Sequence, residues 1–171
     1  MCMVVDVIDS QYQATADDIK ESLRQKGCSC FIEMRPCNNI VREMVSRVMC
    51  RVPLFSIKLL RIWGHGNVGI QCIAGSDCFT RRDSRELEPL GPYFAGNAVV
   101  ELHGCQVASS PEGARFVQLL ADLWNVRVRA SLVKQQDLID RTDWAGPVVE
   151  ARPKTSGLSV VIKKGGQSFT P

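Results

Sequence analysis

Ile57-Lys58-Leu59-Leu60-Arg61-Ile62-Trp63-Gly64-His65-Gly66 is the stretch that decides the fold. It is an apolar run of strand length that stops abruptly at two glycines flanking a histidine, as a central buried strand does when it turns out of a sheet. Downstream the same grammar recurs: Ala98 to Leu102 is a short apolar strand ending in His103-Gly104-Cys105. Two buried strands that both finish in a glycine beside a chemically competent side chain point to an open α/β sheet. In such sheets ligands bind at the carboxyl ends of the strands.

Working outward, Met1 to Ile8 reads as another buried strand. Thr15 and Asp18 resemble a capping box opening a helix with Ile19 and Leu23 on one face, and Gly27 is a natural stop. Ser29 to Met34 is a strand. Asn38 or Asn39 caps a helix whose Ile40, Met44, Val48 and Val41, Val45, Met49 recur at helical spacing up to Pro53. Ile70 to Ala74 is a hairpin arm, and Ser84 to Leu90 a short helix. Ser110-Pro111-Glu112 is a helix start built from a cap, a first-position proline and an acid. The buried face of that helix is Val117, Leu120, Ala121 and Trp124. Val126 to Leu132 alternates as a strand with one wet face. Val148 to Ala151 and Leu158 to Ile162 are two last strands, paired through the Pro153 to Gly157 turn. Strands alternating with helices predict a three-layer α/β domain with a mainly parallel sheet of about six strands and helices on both faces. Residues 1–164 are expected as one domain and 165–171 as a flexible tail.

With 45% hydrophobic and 23% charged residues and a net charge of +3, the chain has the balance of a soluble globular protein. Its basic residues are scattered, without the dense stripe of a nucleic-acid binder. No apolar run reaches the roughly 18 residues of a membrane helix, and Met1 to Ile8 lacks the pattern of a secretory signal. A cytoplasmic protein with reduced thiols is therefore expected, without nucleic-acid or membrane partners. Of the eight cysteines, Cys2, Cys50 and Cys72 sit inside apolar patterns and read as small core residues. Cys28, Cys30 and Cys37, or Cys72 and Cys78, lack the C-x₂-C pairing that identifies a structural zinc site, so no metal and no cofactor is expected.

Only two histidines occur. If the strands before His65 and Cys105 are neighbours, the two side chains rise from one edge, giving a thiol with a base in reach. The bare backbone of the adjoining glycines offers the amides of Gly66 and Cys105 as oxyanion donors. His103 reads as structural. Asp77 and Asp83, in the stretch after His65, are candidate substrate-binding carboxylates suited to a basic side chain. Ser109 and Ser110 belong to the helix start.

Leu60-Arg61-Ile62-Trp63-Gly64-His65-Gly66 resembles the His-Gly motif of the caspase-like clan of cysteine peptidases (caspases, gingipains, legumains, separases; clan CD). Leu102-His103-Gly104-Cys105-Gln106-Val107-Ala108, followed by Gly113, resembles its Gly-Cys motif. The likeness is greatest to a bacterial caspase-like domain found near the start of large surface adhesins, which Trp144-Ala145-Gly146-Pro147-Val148-Val149 also resembles. It implies a hydrolase in which His65 is general base and acid, Cys105 is the nucleophile, and Gly66 and Cys105 supply the oxyanion hole. Its substrate would be a protein or peptide, its own precursor included, and two copies could pair as a homodimer through the last strand. The Gln-Ala-Cys-x-Gly signature is absent, so the aspartate specificity of caspases is not implied. Two other readings stay open: a binding or regulatory module of the same fold without turnover, and a zinc site built from His65, His103 and Cys105.

Overall fold

In the computed structural model, which describes residues 3–11, 13–25, 30–135, 144–154, 161–164 and 167–169, the Val-, Ile- and Leu-rich runs become strands. β-branched side chains fit a pleated surface buried on both faces. The chain order is β1 (Met3–Asp9), α1 (Gln13–Gln25), β2 (Cys30–Met34), α2 (Ile40–Met49), β3 (Ile57–Trp63), β4 (Gly66–Asn67), β5 (Ile70–Ala74), β6 (Asp77–Phe79), α3 (Ser84–Leu87), β7 (Phe94–Leu102), α4 (Pro111–Trp124), β8 (Arg127–Ser131), β9 (Val148–Ala151), β10 (Val161–Lys164) and β11 (Gln167–Phe169). The main sheet runs β11-β10-β9-β8-β7-β3-β1-β2. It is parallel from β2 through β8 and antiparallel from there to β11. A separate small sheet, β4-β5-β6, follows His65.

Alternation along each strand sorts the layers. Val5, Val7, Leu60, Ile62, Val100, Leu102, Val128 and Ala130 share one face and form the main core with α2, α3 and α4. Each of these valine, leucine and isoleucine side chains taken fully out of water contributes about 1.5–3 kcal/mol, which is why these helices settle on this face. Ile8 and Trp63 face the other way and pack under Ala16, Ile19 and Leu23 of α1. The expected α/β architecture, with a mainly parallel sheet and helices on both faces, is what the chain adopts.

The face that carries Trp63 also carries charge. Asp6, Arg61, Glu101, Arg129 and Glu150 stand in direct register across adjacent strands. Arg61 grips Asp6 with Nε and Nη2 at 2.7 and 3.0 Å, and Trp63 Nε1 donates to the same carboxylate at 2.9 Å. Arg129 joins Glu101 (3.2 Å) to Glu150 (2.8 Å).

Local details depart from the expectations. α1 begins at Gln13, so Thr15 lies inside the helix and not at its cap; Gly27 lies outside the described residues. Asn39 does precede α2, but in the left-handed region (φ 59°) and without a side-chain cap. β7 starts at Phe94, ahead of the expected Ala98, because Gly96 and Asn97 form an irregularity within the strand, with Asn97 at φ 63°, and not a turn before it. Val161–Lys164 forms β10 and pairs antiparallel with β9; Leu158 to Val160 of the expected strand, and most of its turn, lie outside the described residues. Gln167–Phe169, in the stretch expected as a tail, pairs with β10. The reduced-thiol expectation is corrected at one pair: Cys72 and Cys78 form a disulfide. They face each other directly across the antiparallel β5–β6 hairpin, which brings together two thiols that looked independent in the sequence.

Candidate functional site

β3 and β7 are adjacent and parallel, with Ile62 opposite Leu102, so the loops that follow them leave the same edge. The ladder runs on for one more residue, His103 N donating to Ile62 O at 2.9 Å. Beyond it the two loops touch backbone to backbone. A Cβ added at Gly66 would stand 2.7 Å from Gly104 Cα and 2.9 Å from Cys105 N, and one at Gly104 would stand 2.9 Å from Gly66 Cα and from His65 O. Only glycine at both places allows that approach.

Cys105 sits half-buried on a tight bend. Gln106, directly after it, takes φ 55°, a left-handed conformation that costs a non-glycine residue about 1–2 kcal/mol. Its N–H is tied to Val133 O at 3.0 Å, and the Gly104 N–H to Gln71 Oε1 at 2.9 Å. The Cys105 N–H between them has no acceptor among the described residues. The sulfur lies against the chain after β8: Gln135 N donates to it at 3.3 Å, and it donates to Gln135 O at 3.6 Å.

The His65 side chain is exposed, while its carbonyl is buried in contacts, accepting from Cys72 N at 2.8 Å and Gln71 Nε2 at 3.3 Å. His103 is different. Its ring is closed between Trp63 and Trp144, with centroids 3.8 and 4.3 Å away. Nε2 meets Glu101 Oε2 at 3.2 Å, and Nδ1 is buried with no partner. Burial pushes the imidazole below its ordinary range against the pull of Glu101. The structural reading of His103 therefore holds, and it is not gathered with His65 and Cys105 around a metal. Among the described residues no group of three or more His, Cys, Asp or Glu side chains is placed to hold one.

Asp77 and Asp83 have local partners. Asp83 Oδ2 accepts from Thr80 N (2.7 Å) and Thr80 Oγ1 (3.2 Å), closing a capping box. Asp77 Oδ2 accepts from Cys37 N at 3.2 Å. Among the described residues no hydrogen bond of either carboxylate reaches the loops of His65 or Cys105. Gln71, by contrast, bonds to both loops of the site, and Gln135 bonds to Cys105 and Ala145; neither carries a sequence signal, since a glutamine inside a strand or after one is unremarkable.

Fold and site together define an α/β protein in which a Gly-His-Gly loop and a His-Gly-Cys loop meet at the carboxyl edge of two parallel strands. Residues 32–145 match the family described as Domain of unknown function (DUF4347). The chain belongs to that family. Among curated proteins no match is found.

Proposed function

We propose that the chain is a cysteine peptidase of the caspase-like kind, working through a His65–Cys105 dyad. The observation that carries this reading is the contact of Gly66 with Gly104 and the Cys105 amide, because it brings a base-bearing loop and a thiol-bearing loop to one point of the sheet edge. The Cys105 sulfur, its proton taken by His65, attacks the carbonyl carbon of a peptide bond. The oxyanion so formed is held by N–H groups of Cys105 and Gly66. The C–N bond breaks as His65 returns the proton to the leaving amine. Water, deprotonated by His65, then attacks the thioester, releasing the carboxylic acid and restoring the thiol.

A module of the same fold that binds without turnover is the second reading. It is favoured by the way the Cys105 sulfur is held between the N–H and carbonyl of Gln135. Limiting iodoacetamide near neutral pH, with the labelled cysteines mapped by mass spectrometry, separates the two. On the peptidase reading Cys105 alkylates at least about tenfold faster than Cys37 and Cys50, which are exposed, and loses that lead in His65→Ala. A Cys105 no faster than those thiols, or unaffected by His65→Ala, sinks the dyad and leaves the binding module.

No helix among the described residues is long and apolar enough to cross a membrane. A cytoplasmic location rests on the free thiols Cys30, Cys37, Cys50 and Cys105. The Cys72–Cys78 bond speaks for an oxidising compartment, and we favour the latter. Protein isolated without reductant is then expected to show Cys72 and Cys78 blocked to alkylation; labelling of both would return the chain to the cytoplasm.

A further inference from the structure

Gln71 is the second residue of β5, directly opposite Phe79 of β6, with none of its surface exposed beside the equally buried Ile73 and Phe79. An amide buried in such company costs about 1–3 kcal/mol unless it is paired, and an aliphatic residue would fill the space without that debt. Every polar atom of the Gln71 side chain is in fact used, and on different loops. Nε2 donates to Cys72 O at 2.8 Å and to His65 O at 3.3 Å. Oε1 accepts from Gly104 N at 2.9 Å. One rigid carboxamide therefore holds the carbonyl of His65 with its donor end and the amide before Cys105 with its acceptor end.

We infer that Gln71 is a positioning residue that locks the His65 loop to the Cys105 loop, fixing the distance between base and nucleophile and the aim of the Cys105 N–H. This rests on the peptidase reading above. Glutamine is suited to the task because it carries a donor and an acceptor at the same reach. Ionised glutamate has no donor to offer the His65 carbonyl, and asparagine is one methylene shorter. Without the bridge, Gly104 loses its acceptor and the glycine contact between the loops is no longer held in register. A misplacement of about 1 Å between reacting groups can lower a rate about a hundredfold.

The test compares wild type, His65→Ala, Gln71→Met and Gln71→Glu in non-reducing buffer. It measures the Cys105 alkylation rate from pH 5 to 8, exchange of the Gly104 amide by NMR, and the unfolding temperature. Methionine keeps the volume and loses the bridge. Its Cys105 rate is expected to fall about ten- to a hundredfold toward that of His65→Ala, with faster Gly104 exchange and a near-unchanged unfolding temperature. Gln71→Glu behaves likewise at pH 8. Relative to wild type it recovers toward pH 5, because full burial at this position pushes a carboxyl up toward its neutral form, which again offers one donor and one acceptor. That reversal within one folded protein keeps the test decisive even if the methionine variant does not fold. Wild-type rates in both Gln71 variants, with His65→Ala still slow, overturn the role of Gln71 and leave the dyad standing. If His65→Ala itself reacts like wild type, the dyad fails, and Gly104 exchange alone decides: faster in Gln71→Met upholds the brace, unchanged overturns it.

Discussion

At His103 two demands are met by one ring. Trp63 and Trp144 close over its faces, and its Nε2 is within hydrogen-bonding reach of Glu101. Burial lowers the readiness of His103 to take a proton. For Glu101, burial opposes ionisation, yet the His103 N–H and the Arg129 guanidinium outweigh it and hold the carboxyl below its usual range. The sign follows from proton counting. The unfolded chain protonates His103 near its ordinary value of about 6.5, while the folded protein resists, so stability is complete above that pH and is lost as pH falls toward the lower folded value. Glu101 contributes above the unfolded carboxylate range and is lost only as pH falls through its lowered folded value. Urea unfolding between pH 7.5 and 5 should show stability falling by up to about 1.4 kcal/mol per pH unit in wild type. His103→Phe, which keeps a ring between the two indoles, should be nearly flat over that window. A variant as steep as wild type would assign the acid sensitivity elsewhere.

Among the elements, those whose signals are local were legible. α4 starts where Ser110-Pro111-Glu112 says it should, with Ser110 Oγ accepting from Gly113 N at 3.2 Å, because capping is settled within one turn of chain. The β4-β5-β6 unit was legible only as a single hairpin arm. Its disulfide depends on register: Cys72 meets Cys78 because the turn between them places them directly opposite, and a one-residue slip would point the two thiols to opposite faces. Closing so short a loop stabilises by about 2 kcal/mol in the chain-entropy account. Cys72→Ser with Cys78→Ser should therefore lower stability by roughly that amount, and the unfolding temperature by about 5 °C. Calorimetry with and without reductant measures it, and equal melting of wild type in both conditions would remove the disulfide from the stability of this hairpin.

Over the whole molecule, one face of the sheet holds a row of alternating charge, Asp6, Arg61, Glu101, Arg129 and Glu150, beneath the edge where His65 and Cys105 emerge. Asp6 and Glu150 are fully buried and Arg61 nearly so. Such pairs add little net stability over a well-packed apolar alternative, but removing one partner strands a buried charge at about 3–5 kcal/mol. Arg61→Met is expected to be destabilised by that order in urea titration. The double variant Asp6→Leu with Arg61→Met should recover part of the loss, short of full recovery by about 1–3 kcal/mol because the buried Trp63 Nε1 then loses its acceptor. A single variant costing under about 1 kcal/mol would mean that Asp6 is satisfied without Arg61.

The sequence alone determined the strand–helix alternation, the parallel sheet and the placing of His65 and Cys105 at strand ends, because periodicity, capping and glycine punctuation are written within a few residues of where they act. Tertiary structure alone decided what those ends meet. That Gly66 lies on Gly104, that Gln71 spans the two loops, that Cys72 bonds Cys78, that His103 is shut between Trp63 and Trp144 and that the five charges align all depend on strand order and register. Asp83 shows the same limit from the other side: in the sequence it is a loop carboxylate free to bind substrate, and in the fold it closes the turn at Thr80. Strand order and register are set by which surfaces pack together across the whole chain, and no local stretch of residues encodes that choice.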